Sequence, residues 1–109
     1  MASVLYYNLE EYRMSELNIT EYTSVSQGTM GLEPSLSSQT VELRLIPVKC
    51  IPFNARASFV RLVASADCRI SFGEDPSVSD TDGTILLSGS TEFFAVRQGS
   101  GHTLSAVLL

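Results

Sequence analysis

The sequence predicts an all-β fold: an antiparallel β-sandwich, jelly-roll-like or Ig-like, preceded by an N-terminal arm or short helix. Two observations carry that expectation. From residue 40 onward, apolar residues alternate with polar ones in runs of five to eight, the period of a strand with one face turned inward. Gly, Pro, Ser, Asn and Asp, which turn the chain, punctuate these runs. At 109 residues the chain suits one domain and can bury a core without staples.

Taken in order, residues 1–17 read as the arm and 18–109 as the β domain. Within SVLYYNLEEYRM, residues 3–14, Leu5, Leu9 and Tyr12 stand at helical spacing behind Ser3 as an N-cap, so a short helix and an extended arm are both open. A helix that short needs a surface to pack on. NITEYTSV, residues 18–25, reads as a strand, and Gln27 to Ser38, with Gly28, Gly31 and Pro34, as a surface connection. In TVELRL, Val41, Leu43 and Leu45 share one face. Pro47 and Pro52 cannot donate to a ladder, which limits the stretch between them to an edge strand or extended connection.

The later runs are clearer. SFVRLVA puts Val60, Leu62 and Ala64 on one face, CRISF does the same with Cys68, Ile70 and Phe72, and TILLS, TEFFAV and HTLSAVLL complete the series. Ser88-Gly89-Ser90 and Gln98-Gly99-Ser100-Gly101 have the length and glycine content of hairpin turns, so consecutive strands are expected to pair. The acidic stretch GEDPSVSDTDG, residues 73–83, reads as a connection solvated by its own charges and turned by Pro76 and Gly83.

Composition narrows the function classes. A net charge of −5 and a pI of 4.6 argue against sequence-independent nucleic-acid binding, which needs surplus Lys and Arg against phosphate. The charge is segregated: Arg44, Lys49, Arg56, Arg61 and Arg69 oppose only Asp67 in the middle of the chain, with acids prevailing on either side. That arrangement suits complementary packing against copies of itself or a partner. MASVLYYNLEEYR lacks the basic and apolar regions of a signal peptide, and no apolar run approaches the roughly 20 residues that span a bilayer. A soluble product without membrane contact is expected. Cys50 and Cys68, outside any CxxC spacing, read as buried structural thiols.

No motif points to catalysis, and no cofactor is expected. His102, the sole histidine, stands beside a glycine turn at the start of the last strand; no GxSxG elbow is present. QGSGHT leads into a strand rather than a helix and has no Lys, so it is not a phosphate loop. An EF-hand starting at Asp80 fails because Gly83 comes too early and the twelfth position is Thr91 rather than Glu. A different calcium site built from Glu74, Asp75, Asp80 and Asp82 stays open, with no metal as the leading expectation. The surplus lies elsewhere. Phe93 beside Phe94, Leu86 beside Leu87, and the terminal Val107-Leu108-Leu109 place apolar side chains on both faces of their strands, which favours an oligomer or a docking site. Tyr6, Tyr7, Tyr12, Phe93 and Leu109 are the candidate protein-contact residues; tyrosine gives amphipathic contact area at low entropic cost.

One family-level likeness adds to this. Phe53, Asn54, Arg56, Phe59, Val60 and Arg61, then Phe72, Gly73 and Pro76, then Thr91, Glu92, Phe93, Phe94 and Val96, followed by a glycine turn and a final apolar strand, resemble the pattern of small structural proteins of tailed-bacteriophage virions. The likeness covers residues 53–109 well and the first half weakly; in the pattern ITEY, residues 19–22, stands nearer the start, so residues 1–17 read as an added arm. The resemblance implies a non-enzymatic virion component assembled in the host cytoplasm. A head decoration, or cement, protein is favoured, with the major capsid protein and copies of itself, a trimer among the options, as partners. A tail, neck or fibre component, or a glycan-binding β-sandwich module, is the alternative.

Overall fold

A computed structural model of the chain describes residues 15–23, 35–99 and 101–109. Among them the alternating runs become eight strands: β1 (Glu16–Tyr22), β2 (Ser37–Glu42), β3 (Val48–Lys49), β4 (Phe59–Ala64), β5 (Cys68–Gly73), β6 (Thr84–Leu86), β7 (Thr91–Ala95) and β8 (Thr103–Leu108). All pairs are antiparallel, in two four-stranded sheets ordered β2-β1-β4-β7 and β3-β8-β5-β6. The expected all-β antiparallel class is the observed one. The proposed helix in the arm, and most of the connection from Gln27, lie outside the described residues.

The period-2 pattern explains the core. Leu17 and Ile19 of β1 stand opposite Ala64 and Leu62 of β4, and Cys68 and Ile70 of β5 stand opposite Leu108 and Ala106 of β8. One apolar cluster draws on both sheets and includes Leu17, Ile19, Val60, Leu62, Cys68, Ile70, Leu86 and Leu104. Burying a side chain of the Leu or Ile class contributes about 1.5–3 kcal/mol each, so these positions dominate the stability of the fold. β3, between the two prolines, is an edge strand of two residues, as Pro47 and Pro52 require. Its side of the molecule is closed by Gln39 of β2, whose amide donates to the Ile51 carbonyl at 3.0 Å and accepts the Ile51 N–H at 2.9 Å.

Consecutive pairing is corrected by the topology. Only β1 with β2 and β5 with β6 pair as chain neighbours; neither glycine turn expected to close a hairpin does so. Residues 87–90 carry the chain from β6 in the second sheet to β7 in the first, and residues 96–102 carry it back to β8. Side chains decide the first crossing. The Ser88 N–H donates to Asp67 Oδ1 at 2.7 Å, Ser88 Oγ donates to the Ser65 carbonyl at 2.9 Å, and the Gly89 N–H donates to the Ala64 carbonyl at 2.9 Å. These bonds fasten the turn to the β4–β5 connection and deliver the chain alongside β4. On the return, the Val96 N–H donates to the Ser58 carbonyl and Gln98 Nε2 to Ser58 Oγ at 2.7 Å, so the chain runs past the start of β4 before crossing.

Two further expectations change. Leu43 is buried, but β2 ends at Glu42 and Leu45 is 78 % exposed instead of sharing the inward face with Val41 and Leu43. The Arg44 carbonyl accepts the Leu108 N–H at 2.7 Å, which bends the chain toward the second sheet before Leu45 can continue the alternation. The first strand begins at Glu16, two residues ahead of the expected start of the β domain. Glu16 and Ser65 exchange bonds, with the Glu16 N–H donating to Ser65 Oγ at 2.8 Å and the Ser65 N–H to the Glu16 carbonyl at 2.9 Å.

The acidic connection is also more than a solvated turn. Pro76 and Val78 are buried, and Val78 shares a groove with Leu45, Pro47 and Val107 on the outer side of β8. Arg69 holds the loop from beneath, its Nε donating to the Asp80 carbonyl at 3.0 Å and its Nη1 to the Gly83 carbonyl at 2.8 Å. Lys49 donates to Asp75 and holds that exposed carboxyl below the ordinary carboxylate range. The loop therefore acts as a cover over the second sheet, which is why β8 is buried on both faces from Thr103 to Val107.

Candidate functional site

β4 runs from Phe59 to Ala64 and β5 returns from Cys68 to Gly73, so the sheets have two ends of different chemistry. Gly73 stands opposite Thr103, and Phe59 opposite Ala95, at the first end. Here Phe53 and Phe72 lie with ring centroids 6.3 Å apart at 47°, and Phe72 and Phe94 lie 5.2 Å apart at 48°. Tilted pairs at these distances suit the aromatic quadrupole. They line an open cavity of 340 Å³ together with Val96, Arg97 and His102. We call this the aromatic end.

At the other end, bonds from Leu108 to Arg44, from Leu109 to Asp67 and from Ser88 to Asp67 gather four chain segments. Leu45, Ile46, Leu87 and Leu109 are there exposed at 78, 64, 57 and 47 %. Leu45 and Leu109 line one groove with Leu108; Ile51, and Ile85 opposite Arg69, are also exposed, at 72 and 50 %. We call the end that carries Leu45, Ile46, Leu87 and Leu109 the leucine end. The expected contact residue Leu109 lies on it, and Leu87 shows the surplus apolar face read from Leu86-Leu87.

The other expected contact residues are placed differently. Tyr6, Tyr7 and Tyr12 lie outside the described residues. Phe93 is half-buried on β7, opposite Arg61 in register and away from the leucine end. Arg61 reaches Thr20 Oγ1 with Nη2 at 3.5 Å. Alternation along β7 was legible, but not which of Phe93 and Phe94 would join the aromatic cavity.

Sequence reasoning missed Glu21. It is 2 % exposed and forms no ion pair among the described residues. Instead Oε1 accepts the Asn54 N–H and Oε2 accepts Ser37 Oγ, both at 2.6 Å. A signal was present: Leu17 and Ile19 point inward, and the same alternation puts Glu21 inward as well.

His102 is half-buried beside Gly99, and among the described residues no side-chain hydrogen bond reaches its imidazole. Among the same residues no group of three or more His, Cys, Asp and Glu is placed to hold a metal ion, the acids of 74–83 included. Both thiols are buried and free. Burial, and then the charge of Asp67, push Cys68 up to about 11; burial also raises Cys50, against a hydrogen bond with Thr103 that lowers it. A thiol reagent at about pH 8 is expected to react with neither cysteine until the protein is denatured, since the thiolate is the nucleophile. Rapid titration of the native protein would contradict this. Unfolded Cys68 begins to ionise near its ordinary 9.0, whereas the folded form keeps its proton to about 11. Unfolding therefore releases protons in that window, and this group makes stability fall as pH rises from about 9 to about 11, with no effect below. A urea midpoint series across that range measures it.

No protein-family model, curated protein or solved structure matches the chain.

Proposed function

We propose that the chain is a non-enzymatic structural protein of a tailed-bacteriophage virion, a decoration or cement protein that binds the outer capsid surface and reinforces it. In this reading the two sheets form a β-sandwich, jelly-roll-like or Ig-like, and the partners are the major capsid protein and copies of the chain itself. The observation that carries it is the leucine end: Leu45, Ile46, Leu87 and Leu109 present aliphatic surface together on a small acidic domain. A surface of that kind favours contact with another chain, a capsid subunit or a neighbouring copy. Repetition over a shell multiplies a modest contact, so each copy needs only a small interface.

The residues that carry the virion-protein resemblance also support the reading. Three of its phenylalanines, Phe53, Phe72 and Phe94, meet in one aromatic cluster although they come from three separate segments. Asn54 of the same pattern donates its N–H to Glu21 of ITEY. Contacts of this kind among residues of the pattern support reading it as an architectural one.

Quantitative mass spectrometry of purified particles of the encoding phage tests the proposal. On the order of hundreds of copies per particle are expected for a head coat. About six or twelve copies, the numbers of symmetric tail and neck rings, would replace it with a tail, neck or fibre role. Absence from the particle would end the virion reading.

A further inference from the structure

The two ends of the molecule differ in shape and in charge. At the aromatic end a 340 Å³ cavity, floored by Phe53, Phe72 and Phe94, opens between the sheets. It is at the lower limit of small-ligand pockets, about 300–1,000 Å³, and has the size and lining to take aliphatic side chains. At the leucine end four large aliphatic side chains project without a cover among the described residues. Charge follows the same division. Arg97 borders the cavity, and Arg56 lies beside it because Gln98 Nε2 donates to the Arg56 carbonyl at 3.2 Å. Among the described residues neither arginine takes part in an ion pair. Of the acids at this end that form no ion pair among the described residues, Glu21 is buried on Asn54 and Ser37, so the exposed charges are the two arginines and Glu74. Around the leucine end Glu16, Glu42 and Asp67 outnumber Arg44, which is already engaged with Glu42 at 3.2 Å.

We infer that the chain associates head to tail with a second copy of itself, the leucine end of one copy seating on the aromatic end of the next. The contact joins an apolar projection flanked by acids to an apolar cavity bordered by Arg97, with Arg56 on the neighbouring segment. Both the aliphatic burial and the charges then favour one orientation. Because the two surfaces lie at opposite ends of the same sheets, the contact is heterologous: it closes into a ring or continues as a filament, and it excludes a two-fold dimer. The inference rests on the self-association included in the proposed function and supplies its surfaces. Its failure would leave attachment to the capsid to be judged separately, by copy number.

Sedimentation velocity on the full chain tests it with two substitutions at exposed positions. Arg97→Glu spoils the aromatic end and leaves the leucine end intact; Leu45→Glu does the reverse. Wild type is expected to sediment faster as concentration rises from about 10 μM to about 1 mM, and less so in high salt. Each variant alone should associate at least about tenfold more weakly. An equimolar mixture should form a one-to-one complex and nothing larger, because one good pair of ends remains. Thermal melts check that each variant is folded, and Arg56→Glu with Leu109→Glu provides a second pair. A wild type that stays monomeric throughout, whether its own N-terminal segment or another protein covers the leucine end, overturns the inference. So does a mixture that yields no complex, or a dimer that survives in both variants.

Discussion

Glu21→Ala is expected to lower stability by about 2–4 kcal/mol, whereas Glu21→Gln should stay within about 1 kcal/mol of wild type. The carboxyl sits at the end of the inward row Leu17, Ile19, Glu21, almost wholly removed from water and without a cation. It is tolerated because its two oxygens accept from Asn54 N–H and Ser37 Oγ at 2.6 Å each. Alanine removes the acceptor from both donors; Asn54 and Ser37 are exposed and can turn to water, so the loss is that of the two bonds to the buried carboxylate. Hydrogen bonds to a carboxylate contribute about 1.5–3 kcal/mol, so their loss outweighs the relief from removing a buried acid. Glutamine keeps the shape. Its carbonyl accepts the Asn54 N–H, and its NH₂ donates to Ser37 Oγ, since a hydroxyl can reverse its role. Thermal unfolding should show a drop of about 10 °C or more for alanine and a few degrees at most for glutamine. Equal losses in the two variants would mean that charge, rather than hydrogen bonding, is what the site requires.

Gly83→Ala is expected to cost about 2–4 kcal/mol by detaching the cover over the second sheet. Gly83 has φ +126°, a region that side chains rarely allow, and a Cβ there would lie 2.7 Å from Val78 Cγ2 and 3.0 Å from the Ile70 carbonyl oxygen. The backbone oxygen belongs to a central strand and cannot withdraw. Val78 can, but only by leaving the groove beside Val107. The double variant Gly83→Ala/Val78→Ala should therefore not show the sum of the two single losses, because part of the clash is gone while the φ strain stays. Midpoints of chemical denaturation for the three variants decide it; strict additivity would show that Gly83 and Val78 do not press on one another.

These two positions show how far the linear pattern reaches. Val60, Leu62 and Ala64 alternate with Phe59, Arg61 and Val63 because a strand has a period of two, and burial follows that alternation residue by residue. The two-residue β3 follows from prolines that remove ladder donors. The end of β2 does not follow from pattern, because Leu45 fits the period and is still exposed: a single bond from Leu108 to the Arg44 carbonyl turns the chain first. Of the candidate contact residues, Leu109 is exposed at 47 %. The leucine end as a surface was not legible, since Leu45-Ile46, Leu87 and Leu109 stand tens of positions apart and are brought to one end by the topology.

The sequence by itself determined the strand class, the inward faces of β4 and β5, the edge character of β3 and the burial of both thiols. Each depends on spacing or on the chemistry of one residue. Only the tertiary structure decided which strands are neighbours, that both glycine turns cross between sheets, and that the acidic loop covers β8. Glycine at a turn permits a reversal of either kind at no steric cost, so the choice falls to distant partners. Asp67 and Ser65 capture Ser88, and Ser58 holds Val96 and Gln98. Contacts between residues tens of positions apart leave no periodic trace in the chain, and it is those contacts that set the two ends of this protein facing opposite ways.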